Sequence, residues 1–294
     1  MTTRLSVEAI VQKVDQLPEL PQAALRVSQM LEDPEVSADE LAQIIRLDPN
    51  LTGQLLRMCN SAAYGLNRQI STVKEAVAIL GLKVLKSLVY AVISHTALDH
   101  PMSGYALEKG ALWKNAVSCA VYAKHIAEYH RYIDPEQAFT GAILRDLGKI
   151  VLEEYVGANY AEIEAYARKH RVDFMQAEMD ILGTNHTLVG MRVAEKWNLP
   201  PTLISVIGFH HRPSALPADV PEAERKLVGY VHLADAFSMM LGLGVGSDGL
   251  MYSLDTAYFQ TMGITMDELY VQNTLARLLD LQETVNRFSE SLSS

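Results

Sequence analysis

Apolar residues recur at helical spacing along nearly the whole chain, and helix punctuation falls between the runs. After Pro21, Leu25, Met30 and Leu31 share one face of a predicted helix. Ser37-Ala-Asp-Glu40 reads as a capping box opening a helix that buries Leu41, Ile44 and Ile45. Asp48-Pro49 reads as N-cap and first residue of the next helix, through Leu51, Leu55, Leu56 and Met58. Ser71 is expected to cap a segment that stops at Gly81, followed by long helices from Leu82 to about Leu98 and from Tyr105 to about His130. Asp134-Pro135 starts another, stopped near Gly148, and Asp173 opens one that ends before Gly183. His186 to Trp197 and Pro201 to His210 give two more. Thr265-Met-Asp-Glu268 resembles a second capping box before a terminal helix through Leu278 and Leu279, with Ser289 to Ser294 as a fraying polar tail.

No alternating run of strand length and no Asn-Gly hairpin signal interrupts this pattern, so the chain is predicted to be all-α. The β-branched stretch from Val84 to Ile93 is where that expectation is most exposed. Arg212 to Pro221, with three prolines, is the clearest loop. Met30, Leu55, Leu80, Trp113 and Trp197 are assigned to the core.

Composition narrows the classes of function. Hydrophobic residues make up 49% and charged residues 20% of 294 positions, as in a packed globule. A net charge of −10, with basic clusters no longer than pairs such as Arg225-Lys226, argues against a nucleic-acid surface. The two cysteines, Cys59 and Cys119, stand outside any CxxC motif and suit a reducing compartment. No signal peptide is read at the start, and the most apolar stretch judged, Val231 to Gly246, contains His232 and Asp235. A cytoplasmic protein away from membranes is expected.

Arg145-Asp146, His186, His210-His211 and Asp235 are the positions where chemistry could reside. Asp146 is expected at a helix C-terminus, where the dipole is unfavourable and a cationic partner or metal is needed. A salt-bridged acid, a capping histidine and a histidine pair at a helix end are the bland readings of these residues one by one. Their order is more informative. Carboxylates and histidines without thiolates suit manganese, iron or zinc, and could converge in a helical bundle. No P-loop, dinucleotide fingerprint, GxSxG elbow or HExxH pattern is present, and Gly242-Leu-Gly-Val-Gly-Ser247 lacks a strand–turn–helix setting.

The chain resembles the HDOD family, relatives of the HD and HD-GYP metal-dependent phosphohydrolases. The likeness rests on Leu17-Pro-Glu-Leu-Pro21, Ile45-Arg-Leu-Asp-Pro-Asn-Leu51, Leu56-Arg-Met-Cys-Asn-Ser-Ala-Ala-Tyr64 and Ile70 to Gly81. It continues through Leu112-Trp113, Gly141 to Lys149, His186 to Gly190 and Phe209-His-His211. The resemblance implies an HDOD-type bundle over 11–213, with an N-terminal helical half to about 100, an HD-like half from 101, and a helical extension over 214–294. Active HD relatives carry a histidine, a His-Asp pair, further histidines and a late aspartate. On that pattern Asp146, His186, His210, His211 and Asp235 are candidate metal ligands. Asn115 and Arg145 stand where two imidazoles are expected, and Lys149 is a candidate phosphate contact. An arginine about 6 Å from a divalent ion, at an effective dielectric of ~20, opposes binding by roughly 5 kcal/mol unless it is offset.

The resemblance therefore implies a non-catalytic bacterial regulatory module that binds other signalling proteins, on a degenerate phosphohydrolase scaffold and with no cofactor expected. The alternatives are a phosphohydrolase or phosphodiesterase using iron, manganese, zinc or magnesium, and a metal or small-ligand sensor.

Overall fold

The computed structural model of the chain describes residues 35–66, 68–132, 134–243 and 254–293, with Arg26, Val27, Gln29, Met30 and Asp33 besides. Leu25, Leu31 and the segment from Leu17 to Pro21 lie outside the described residues. Among the described residues there is no β-strand; one isolated bridge joins Met102 and Leu107.

The helices form where caps and apolar spacing require them. Helix α1 (Ala38–Ile45) opens on the Ser37–Glu40 capping box, with Glu40 N–H donating to Ser37 Oγ at 3.2 Å and Ser37 N–H to Glu40 Oε2 at 3.0 Å. In α2 (Pro49–Cys59) the Asp48 carboxylate accepts from the amides of Asn50 and Leu51. Asn60 then locks the following loop: its amide donates to Ile70 O at 2.7 Å and accepts from Ile70 N–H at 2.6 Å.

Helix α3 (Val73–Leu98) is capped by Thr72 rather than Ser71, which instead donates to Glu75. As expected, the run is two helices that meet at Gly81, whose φ 82° and ψ 164° are non-helical and open to glycine. Its second half is the β-branched stretch, wholly helical and mostly buried. This helix, not Val231–Gly246, is long and apolar enough to cross a membrane; here half of that apolar window is buried against α1, α2 and later helices.

The next helix, α4 (Ala111–Tyr129), begins six residues later than Tyr105, because Gly110 (φ 79°) breaks the chain before it. Then come α5 (Pro135–Leu144), α6 (Leu147–His170), α7 (Phe174–Leu182), α8 (His186–Lys196) and α9 (Pro201–Phe209). The stretch expected as loop holds one 3-10 turn, Pro213–Ala215, ahead of α10 (Glu222–Met240). Three further helices follow: α11 (Thr256–Thr261), α12 (Glu268–Asp280) and α13 (Gln282–Ser293). The cap of α12 is Asp267, accepting from Tyr270 N–H, and not Thr265. The expected polar tail is helical as far as Ser293, with Ser289 and Leu292 buried.

Helices α4, α5 and α10 pack together as the centre, with α9 against α5 and α10, and α8 against both α6 and α9. Helix α13 crosses back to α4 and α2, and Trp113 Nε1–H donates to Ser289 O at 3.1 Å. That bond gives Trp113 a structural role in joining the C-terminal helices to the centre. Leu55 and Trp197 are buried, and Met30 and Leu80 pack half-buried against the same core.

Candidate metal centre

The main correction to the sequence reading concerns Arg145-Asp146. Helix α5 ends at Leu144, and Asp146 is the N-cap of α6, not the last turn of a helix that stops at Gly148. The carboxylate therefore sits at a favourable dipole end. Gly148 lies inside α6 because α8 passes across it. A Cβ at Gly148 would lie 1.8 Å from His186 O and 2.6 Å from Gly190 N. This backbone contact sets His186, at the start of α8, beside Asp146.

His210 and His211 follow α9 at its C-terminal end, and His210 is the cap. His210 keeps a helical backbone conformation, with φ −61° and ψ −23°, and its ring centroid lies 4.0 Å from that of His211. Asp235 enters from α10 and Asn115 from α4. The fold thus brings all the candidate ligands, both altered positions and Lys149 into one buried cluster. His186 and His210 are 0% exposed and Asp146 is 2% exposed.

The cluster has two halves that share Asp146. In one, the Arg145 guanidinium fills the space between three residues. Nε donates to Asp235 Oδ1 at 2.8 Å, and Nη2 lies 2.7 Å from that oxygen and 3.1 Å from Asp146 Oδ2. Nη2 also donates to Asn115 Oδ1, and Nη1 to Ala142 O at 2.9 Å. Asn115 Nδ2–H donates onward to Leu243 O at 2.9 Å. In the other half, Asp146 Oδ1 faces His186 Nε2 at 3.9 Å and His210 Nε2 at 4.0 Å. His211 Nε2 is 3.1 Å from His186 Nε2.

Partners outside the cluster set the tautomers. Glu178, fully buried on α7, accepts from His186 Nδ1 at 2.7 Å, from its backbone N–H at 3.1 Å and from Tyr105 Oη at 2.8 Å. His210 Nδ1–H donates to Ile207 O at 2.9 Å. Both rings therefore turn an unprotonated Nε2 inward, the form a metal requires. With His186 so fixed, the 3.1 Å contact has His211 Nε2–H donating. His211 would present that nitrogen to an ion only with its proton moved to Nδ1, which faces Asp235 Oδ2 at 3.6 Å. His232 Nδ1–H donates to His210 O at 2.7 Å and its Nε2 accepts from Asp255 N–H at 2.9 Å, which holds the His210 backbone.

Burial pushes the pKa values of His210 and His211 well below the ordinary imidazole value, so both are neutral near pH 7. Burial alone would raise the Asp146 carboxyl, but Lys149 and Arg145 outweigh it and hold the group well below the usual range. At Asp235 burial pushes upward and Arg145 pulls against it. Lys149 Nζ is 3.1 Å from Asp146 Oδ1 and 5.5 Å from the Tyr105 ring centroid. Its expected place as a phosphate contact is thus taken by an ion pair inside the cluster. The charges of Arg145, Lys149, Asp146 and Asp235 cancel, so the arginine's opposition to an ion is largely offset.

The residues fit a divalent ion. Donor atoms of Asp146, His186, His210 and His211 all lie within 4.8 Å of one another. Metal–ligand bonds of about 2.0–2.2 Å span at most ~4.4 Å, so small side-chain shifts would bring the four to one centre. His210 Nε2 has no hydrogen-bond partner, and Asp146 Oδ1 accepts no hydrogen bond despite its ionic neighbour. Buried polar atoms are rarely left this way without cause. Glu178, Tyr105 and His232 were missed in the sequence.

The HDOD domain profile matches residues 17–213, two thirds of the chain. The chain belongs to the HDOD domain family. An uncharacterized protein of Treponema pallidum is 28% identical over 244 residues, which cover 80% of this chain and 44% of that protein. The chain therefore spans less than half the length of that relative. A Shewanella amazonensis structure named as a phosphohydrolase is similar, with TM-score 0.72 and 24% identity over 96% of this chain and 97% of that one. A Marinobacter aquaeolei structure named as a signal transduction protein matches with TM-score 0.73 and 20% identity, over 95% of this chain and 60% of that one. At these identities the two structures establish a shared HDOD-type helical fold, and their differing names leave function to the site.

Proposed function

We propose that this HDOD protein is a non-catalytic regulatory module acting in the cytoplasm through other signalling proteins. In this reading 11–213 is the HDOD unit and 214–294 a helical extension of it. The carrying observation is Arg145. Its guanidinium bridges Asn115, Asp146 and Asp235, three of the positions that resemblance assigns to metal ligation in hydrolytic relatives. A permanent cation there can neither ligate an ion nor carry a hydroxide nucleophile.

Burial supports the same reading. A phosphodiester must reach the ligands, yet every side chain of the cluster is at most 7% exposed. The cavity of about 380 Å³ between α3, α5 and α9, lined by Leu82, Lys86, Thr140 and Leu203 among others, does not include them. The name of the Marinobacter relative agrees with a signalling role and that of the Shewanella relative with the origin of the scaffold.

A second reading, a metal-sensing domain, is favoured by the inward Nε2 of His210 and by the orienting carboxylate of Glu178. An ion there would supply Lewis-acid character. The chain's own residues would orient the imidazoles and exclude water.

The test is hydrolysis of bis(p-nitrophenyl) phosphate and of a cyclic dinucleotide, with manganese, iron, zinc or magnesium added. No turnover above the Asp146→Ala protein is expected. Turnover that this substitution abolishes would overturn the regulatory reading.

A further inference from the structure

We propose that Arg145 is a built-in cation that stands in for one metal ion of a two-part site, so that the chain holds a single divalent ion. The inference rests on reading the site as a converted phosphohydrolase centre, and concerns how the conversion was made.

Asp146 is the pivot. Its Oδ2 is given to Nη2 of Arg145 at 3.1 Å, while its Oδ1 points at the Nε2 atoms of His186 and His210. One carboxylate thus serves two cation positions, one oxygen to each. The first is already filled: the guanidinium takes Asp235 Oδ1, Asp146 Oδ2 and Asn115 Oδ1 together, all oxygens, as a hard cation would. The second offers imidazole nitrogens and the remaining Asp146 oxygen, with the His210 nitrogen unpartnered.

Charge fits the same division. An arginine carries half the charge of a divalent ion, so an ion on the histidine side meets half the repulsion that a metal neighbour would exert. Arg145 is also held where it is: it is 1% exposed and four of its contacts are to fixed groups, including the Ala142 carbonyl. Lys149 shares Asp146 Oδ1 and would have to give up that place to an incoming ion.

The experiment uses the full chain, purified without metal-affinity resin, stripped by chelator and re-equilibrated with cobalt(II). Bound metal is measured by elemental analysis, and the visible cobalt bands report nitrogen ligation. Wild type is expected to take one equivalent, His210→Ala none, and Asn115→His with Arg145→His two. Arg145→Gln removes the cation without adding a ligand. It should melt lower than wild type in chelator and gain more than wild type from excess cobalt.

Zero or two equivalents in wild type would overturn the proposal. So would one equivalent in a folded double variant, or an Arg145→Gln protein that responds to cobalt as wild type does. Zero equivalents with no hydrolysis would leave the regulatory reading intact, whereas hydrolysis by a one-equivalent protein would sink that reading and leave the stoichiometry standing.

Discussion

Adding one methyl group at Gly148 should separate the two helices that build the centre. A Cβ there would stand 1.8 Å from His186 O and 2.8 Å from His186 C, against a floor of about 3.0 Å for real Cβ contacts. Both obstacles are backbone, so no rotamer change relieves them. Helix α8 must move away from α6 by about 1.2 Å. The Asp146 Oδ1 to His186 Nε2 separation, now 3.9 Å, would then approach ~5 Å, beyond the ~4.4 Å that two bonds to one ion can span. Overpacking of this kind costs about 1–3 kcal/mol, which lowers Tm by roughly 2–5 °C in a chain of this size.

The assay is thermal unfolding of Gly148→Ala in chelator, with cobalt binding measured in parallel and expected to weaken at least tenfold. Gly53→Ala is the control of opposite sign. It lies exposed inside α2 with nothing within 4 Å of the added Cβ, and should stabilise by about 0.5–1 kcal/mol. A Gly148→Ala protein that melts with wild type and keeps its cobalt affinity would refute the argument that this contact sets the site.

Glu178→Gln keeps the shape of the partner to His186 but removes its charge; metal affinity is expected to fall about 10–100-fold, and an unchanged cobalt titration would count against an orienting role. His210 and His211 have folded-state pKa values depressed below the unfolded value of about 6.5. The unfolded chain therefore binds more protons as pH falls, and metal-free stability is complete above about pH 6.5 and lost below it. Between pH 7.5 and 5.5 the loss should be about 2–3 kcal/mol for the two together, read from urea midpoints; a flat profile would contradict their burial as neutral rings. Asn60→Ala removes both bonds to the Ile70 backbone and should cost about 1–3 kcal/mol, checked by urea unfolding. No loss there would mean that water replaces the amide.

The parts of this molecule that were legible in the sequence are those decided locally. Ser37 with Glu40, Asp48 before Pro49 and Asp173 ahead of Gly183 each act within one helical turn, and each sits where its chemistry predicts. Thr72 displaced Ser71, and Asp267 displaced Thr265, because neighbouring residues compete for the same amide and only the path of the chain decides between them.

Gly148 is the instructive error. A glycine after an apolar helix predicts a stop, but this one exists for a helix that arrives from forty residues away, and a single sequence cannot distinguish the two demands. The misplaced helix end also inverted the electrostatics of Asp146, from an unfavourable C-terminus to an N-cap. Glu178 was invisible for a related reason. Its role depends on α7 laying a carboxylate behind His186, and nothing in Met175-Gln-Ala-Glu178 differs from an ordinary amphipathic helix.

Arg145 shows the opposite balance. Its identity raised the question of a damaged site, but whether it faced inward or swung to solvent depended on tertiary packing. Facing inward, it meets the Asn115 amide oxygen and two carboxylates, of which Asp146 is also paired with Lys149. An arginine in place of a neutral ligand thus supplies positive charge where an ion would have carried it, and that half of the centre closes without metal.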